Sequence, residues 1–175
     1  MPTGLGSEIL DLTLEHIVIV LVAMAIATAI GIPAGIAITR RVPLRRWVLG
    51  FANIMQTVPS LALFGFLIPI PFIGGIGKQT AIVALVLYAL LPILQNTLAG
   101  ILGVDPAVRE SAIAMGMAPG QLLRQVEIPL AARTILAGLR VATVTTIGTA
   151  TIAAAIGGGG LGVFIFRGLA SVDSK

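Results

Sequence analysis

The sequence predicts an all-α fold, a polytopic bundle of membrane-spanning helices, and three observations carry that prediction. Hydrophobic residues fill 57% of the 175 positions and charged residues only 10%, against about 25% charged in an ordinary soluble domain; the mean hydropathy is +1.08. The apolar residues gather into four stretches, 17–38, 47–72, 80–102 and 134–156, each long enough for the roughly 20 residues that cross a hydrocarbon core. None of them shows the two-residue alternation of a barrel strand. Residues 1–175 read as one domain with the longest polar connection at 103–133.

Each element has its own justification. Ile17 to Ile38 carries no charge across 22 positions, and within it Ala23, Ala27, Gly31 and Gly35 recur every fourth residue, a stripe that lets a neighbouring helix approach closely. The second stretch is also uncharged but contains Pro59, Pro69 and Pro71, so its outer end is expected to be kinked or unwound. Thr80 to Leu102 is interrupted only by Pro92. Thr134 to Ile156 carries Arg140, close enough to one end to snorkel toward an interface.

Charge sets the expected orientation. The loops at 39–46 and 103–133 hold seven arginines, at 40, 41, 45, 46, 109, 124 and 133, whereas 1–16, 73–79 and 157–175 hold Lys78, Arg167 and Lys175. The positive-inside rule therefore places the first two loops in the cytoplasm and the N-terminus outside. No basic n-region precedes the first apolar stretch, which reads as a retained span rather than a signal peptide. The net charge of +4 includes no basic run beyond Arg40-Arg41 and Arg45-Arg46, which flank apolar segments, so lipid is the expected surface and nucleic acid is not. The chain has no cysteine, which excludes disulfides and thiolate metal sites.

Polar side chains inside the spans are few. Asn53, Gln56, Thr57 and Ser60 surround Pro59, Gln95 and Asn96 follow Pro92, and Thr146 and Thr149 dot the fourth stretch. Such groups either bond between helices or line a water-filled path. For the path, Gln56, Thr57 and Ser60 come first, because a proline-broken helix exposes backbone groups there. No Asp or Glu lies within a span, the single histidine, His16, sits at an edge, and no GxxxxGK[ST] phosphate loop occurs. A carboxylate-based ion relay, a nucleotide site and a catalytic or metal constellation all lack their residues.

The polar connection reads as a helix, turn, helix knob. Asp105-Pro106 is an N-cap followed by proline at the first helical position, and the helix carries Arg109, Glu110, Ala112 and Ile113. Gly116 permits a sharp reversal. A second short helix, Pro119 to Val126, follows, and Pro129 closes the unit. Met115, Met117, Leu122 and Leu123 form an apolar face that fits a groove on a soluble partner; the plainer reading is a loop that caps the bundle.

Residues 109–130, RESAIAMGMAPGQLLRQVEIPL, have the spacing E-[AS]-A-x3-G-x9-[IV]-x-[IL]-P, filled by Glu110, Ser111, Ala112, Gly116, Val126, Ile128 and Pro129. This resembles the coupling loop of the membrane subunits of binding-protein-dependent ABC importers. MQTVPSLALFGFLIPI at 55–70, LLPILQNTLAGI at 90–101, GVDPAVRESAIAMGM at 103–117 and IGGGGLG at 156–162 look like the osmoprotectant branch, and the similarity covers about residues 15–172. The resemblance implies a type I importer permease bundle, with Arg109, Glu110, Ser111, Ala112, Gly116, Met117, Leu122, Leu123 and Pro129 coupling it to an ATPase. It implies import of quaternary amines such as glycine betaine, choline or carnitine; amino acids or another small solute remain the alternative, as does a non-transporting scaffold. Implied partners are two cytoplasmic ABC ATPase subunits, an external substrate-binding protein and a second permease copy or paralogue. ATP and Mg would belong to the ATPase and no cofactor to this chain. The family's pattern also leads to expect a further span after the glycine run, where this sequence reaches Lys175.

Overall fold

A computed structural model describes residues 4–71 and 73–172; Phe72, the expected end of the second span, and Lys175 lie outside the described residues. The elements are α1 (Leu5–Thr39), α2 (Val42–Thr57), α3 (Ser60–Leu67), α4 (Lys78–Leu102), α5 (Pro106–Ala114), α6 (Pro119–Leu122), a π turn at Leu123–Glu127, α7 (Ile128–Ala150), a 3-10 segment at Thr151–Ile156 and α8 (Gly162–Val172). No strand occurs among the described residues.

Helix α4 is the axis of the molecule, packed on one side by α1 and on another by α7, with α2 and α3 along its flank. Its most apolar window is 56% buried, against 33% for α1 and 28% for the segment containing α7. Those two helices therefore turn most of their apolar surface outward, as helices in lipid do. Ile19, Val20, Ala23, Met24 and Ala27 of α1 meet Leu85, Ala89 and Ile93 of α4 and Ala142 of α7 in the main core. Small residues set the spacing. A Cβ on Gly31 would lie 2.7 Å from Ile93 Cγ2, one on Gly35 2.7 Å from Thr97 Cβ, and one on Gly138 2.4 Å from Asn96 Cβ. The four-residue stripe of α1 is thus used within the chain.

Boundaries differ from the sequence expectation at three places, and the first is α1, which begins at Leu5 rather than near Ile17. Stretch 47–72 breaks in its middle rather than only at its outer end, and α2 and α3 meet at 105°. Val58, preceding proline, is extended at φ −72°, ψ 128°, and Pro59 follows at φ −55°, ψ 135°, because the proline ring disfavours a helical residue before it and has no N–H to continue the ladder. Helix α3 then packs Leu63, Phe64 and Leu67 against Ala81 and Ala84 of α4 and Ala153 of the 3-10 segment. The fourth stretch starts six residues earlier than expected, at Ile128 rather than Thr134, and changes to 3-10 geometry from Thr151. Helix α1, with 35 residues, is about 52 Å long at 1.5 Å per residue, longer than the roughly 30 Å of a hydrocarbon core.

Contacts between distant segments sort the connections onto two ends. At one, the glycine end, Lys78 Nζ lies 2.6 Å from Glu15 Oε1, the Gly160 amide donates to Glu15 Oε2 at 2.8 Å, and Arg167 pairs with Glu8. His16, expected at an interface, is buried there at 5% exposure, with Nε2 3.2 Å from the Ile147 carbonyl. The Thr151 N–H, which would reach that carbonyl in a regular α-helix, bonds to Gly148 O instead. At the other, the arginine end, Arg40 and Arg109 meet Glu127.

Candidate functional site

The connection between α4 and α7 is built by local rules. Asp105 caps α5, its Oδ1 accepting from the Ala107 amide at 2.8 Å, with Pro106 at the first helical position, where its missing N–H costs least. The helix ends in a Schellman turn: the Gly116 amide donates to Ile113 O at 2.9 Å and the Met117 amide to Ala112 O at 3.2 Å. Gly116 stands at φ +83°, a conformation open to glycine and resisted by a residue with a Cβ. A Cβ there would meet nothing within 4 Å, so its backbone angle, not crowding, is what demands glycine. This links the x3 spacing between Ala112 and Gly116 to a specific structure.

Beyond the turn the expectation needs correction. Pro119 to Val126 is not one helix; α6 is a single turn, with the Gln121 side chain accepting from the Ala118 amide at 2.9 Å, and it runs through the π turn straight into α7. Pro129 therefore does not close the unit. It lies within the continuous run from Pro119 to Ile156, two residues past the π-turned Glu127, at a point where the regular helical bonding pattern is already interrupted.

The expected apolar face also divides. Leu122 and Ala112 are turned inward, at 6% and 2% exposure, and Leu123 packs with Ile101, Ala131 and Ile135; these residues seat the loop on the bundle. Met117 is half-buried. Met115 and Ile113 point outward, at 72% and 55% exposure, beside exposed Glu110 and Ser111. The Ser111 hydroxyl donates to Ala107 O at 2.8 Å. The outward surface is thus narrower than expected, and Ile113 belongs to it.

Sequence reasoning missed the acid at the root of this loop. Glu127 is 4% exposed. Its Oε1 lies 2.9 Å from Arg109 Nε, off the hydrogen-bond axis, and Arg40 Nη2 donates to Oε2 at 3.4 Å. Arg109 also donates from Nη2 to the Ile101 carbonyl at 2.9 Å, at the end of α4. A cleft of about 320 Å³ opens beside these groups, with Thr39, Ile113 and Leu122 in its wall. The signal in the sequence was a lone glutamate between Val126 and Ile128, an acid at a position whose neighbours are apolar.

The polar residues of the spans fall into three environments. Asn53, Gln56, Thr57 and Gln95 are exposed on the flank formed by α2 and α4, Ser60, Asn96 and Thr149 are half-buried, and Thr146 is enclosed at 1% exposure with its hydroxyl 3.6 Å from Met24 Sδ. A path along the surface of this chain does not reach Thr146. Thr57 and Asn96 bond back to their own helices, to Ile54 O at 2.8 Å and Pro92 O at 2.8 Å. Gln56 has a more specific partner. Pro92 has no N–H for the carbonyl of Tyr88 four residues back, and Gln56 Nε2 donates to that carbonyl at 3.2 Å. The Tyr88 hydroxyl in turn donates to Val58 O at the break between α2 and α3.

Comparison with known proteins places this architecture. The sequence pattern described as "Binding-protein-dependent transport system inner membrane component" matches residues 27–175. The choline transport system permease protein OpuBB of Bacillus subtilis is 48% identical over 164 residues, 94% of this chain and 74% of that protein. The osmoprotectant import permease protein OsmW of Salmonella typhimurium is 43% identical over 94% of this chain and 78% of that one. Among solved structures, a chain from inward-facing conformations of the MetNI methionine ABC transporter matches with a TM-score of 0.84 at 26% identity, over 95% of this chain and 82% of that chain. Three described helices are long and apolar enough to cross a membrane, and the bent pair α2–α3 makes a possible fourth span. With family pattern and permease fold coinciding over most of its length, the protein belongs to the binding-protein-dependent transport system inner membrane components, as a multi-pass permease subunit.

Proposed function

We propose that this chain is the membrane subunit of an ATP-driven importer of quaternary-amine osmoprotectants, the class of glycine betaine, choline and carnitine. The observation that carries the substrate class is the identity of 42–48% along at least 93% of the chain to permeases named for those compounds. The α5–α6 loop is the coupling element. Its exposed Ile113 and Met115 dock on a cytoplasmic ABC ATPase that holds ATP and Mg, while the glycine end faces an external substrate-binding protein. A second permease copy or a paralogue completes the path, to which Asn53, Gln56, Thr57 and Gln95 contribute from the exposed flank. Selectivity resides chiefly in the binding protein, since an aromatic cage for a quaternary ammonium has few candidates in a chain with one Trp and one Tyr.

The substrate class is tested with the reconstituted assembly of permease, ATPase and binding protein. Choline, glycine betaine or carnitine should accumulate, and excess methionine should not compete. Accumulation of methionine in place of all three would reassign the substrate.

Orientation follows from the seven arginines of the two loops at the arginine end, and the absence of native cysteine makes it measurable without background. A cysteine at exposed Ala118 should be shielded from an impermeant thiol reagent in intact cells, and one at Ile76, 81% exposed, should react. The reverse pattern inverts the topology and removes the loop from the ATPase side.

A further inference from the structure

Glu127 is where the loop meets α1 and α7. It sits on the π turn where the loop passes into α7, and each carboxylate oxygen faces an arginine from a different element: Arg109 of α5 at 2.9 Å and Arg40, the C-terminal cap of α1, at 3.4 Å. Through Arg109 Nη2 the same cluster reaches the last turn of α4 at Ile101 O, 2.9 Å away. One carboxylate thus links the loop with three long helices, and its partners lie 87 and 18 residues earlier in the chain.

The two halves of the cluster are unequal. Arg109, 29% exposed at its side chain, holds the shorter contact, whereas Arg40 is 51% exposed and its contact is long. A buried carboxylate stripped of both partners is strongly unfavourable, so the Arg109 contact serves as the permanent one. A half-exposed ion pair is worth little in water and can open without unfolding anything. π turns within α-helices recur at functional sites, and this one leaves the acid at the only covalent passage from loop to α7.

We propose that Glu127 is a positioning residue for coupling: it moves with the loop through Arg109 and makes or releases Arg40, so that displacement of the docked loop reaches α1. This rests on the reading of the loop as the ATPase contact. Its consequence is that removing the Arg40 contact should leave folding and ATPase docking intact and waste ATP.

The test uses the full assembly in proteoliposomes and measures substrate imported per ATP hydrolysed, alongside elution of the detergent-solubilised complex and its melting temperature. Arg40→Gln and Glu127→Gln should each lower that ratio about fivefold, a factor within the range of direct pair interactions. The double variant should be no worse than the poorer single one, and Arg40→Lys, which keeps the charge, should recover most of the ratio. Because Arg40 is half-exposed, its variants test the idea even if Glu127→Gln fails to assemble. An Arg40→Gln assembly with the wild-type ratio, or a ratio that Arg40→Lys fails to improve, overturns the proposal. So does an Arg40→Gln complex that melts or dissociates as its ratio falls, since that marks a merely structural contact. A wild-type assembly without ATP-driven uptake refutes the functional reading itself, and the coupling role with it.

Discussion

Proteoliposomes that hold this protein alone are expected to accumulate no choline, glycine betaine or carnitine, even under an imposed sodium gradient or membrane potential, and addition of the ATPase, binding protein and ATP should start uptake. The expected change is from background to full rate. An ion-coupled carrier places ionisable side chains along the route near the bilayer centre. Here the acids fall at 8, 11, 15, 105, 110, 127 and 173, with none between 16 and 104. Glu15 is engaged with Lys78 and Gly160 at the glycine end, and Glu127 with two arginines at the other. On the proposed function the energy enters instead through the α5–α6 loop, whose exposed Ile113 and Met115 offer a docking surface. Uptake by the lone protein at the rate of the complete assembly would sink this account.

The second large effect is expected at Gly116. Valine at φ +83° meets the left-handed penalty of about 1–2 kcal/mol for a residue with a Cβ, increased by branching at that carbon. Since no atom lies within 4 Å of the added Cβ, the damage is confined to the turn, and insertion of the spans should be unchanged. Loss of the Gly116 and Met117 amide bonds would swing Met115 away from its outward position. ATPase affinity should fall about tenfold, the factor carried by 1.4 kcal/mol, and substrate-stimulated hydrolysis should fall with it. Gly116→Asn should retain most of both, because asparagine tolerates this backbone region. Co-purification of the ATPase with each variant decides the matter: full binding and full coupled transport by Gly116→Val would mean that the loop does not transmit.

What could be read in advance follows from how local each cause was. The uncharged run of α4 and the turn at Gly116 are dictated by a few neighbouring residues and lie close to where the sequence puts them. Helix α1, in contrast, begins at Leu5, twelve residues before the expected Ile17, because it continues past the apolar run through Glu8, Asp11 and Glu15. Leu122 is expected on the outward docking face but packs inward, because a four-residue helix has no periodicity from which to infer a face. Thr146 was grouped with path residues on polarity alone; its partner Met24 is 122 residues distant. The break at Pro59 was misplaced because three prolines stood in one apolar run, and only packing of α3 against α4 selects the first of them. Glu127 escaped notice for the same kind of reason, since the arginine that identifies it as one end of a joint comes from the far end of α1.

The paired bonds from Gln56 to the Tyr88 carbonyl and from the Tyr88 hydroxyl to the Val58 carbonyl have a consequence for how this protein tolerates mutation. Two backbone faults, one made by Pro92 and one by Pro59, are repaired across the same helix contact. Tyr88→Phe strands the Val58 carbonyl and Gln56→Leu strands that of Tyr88, each an unsatisfied polar group in an apolar setting. Restoring an N–H at position 92 removes the second fault and with it the need for Gln56. Position 56 should therefore be intolerant in the native sequence and permissive once Pro92 is replaced, so that the order in which substitutions arise decides which of them the chain survives.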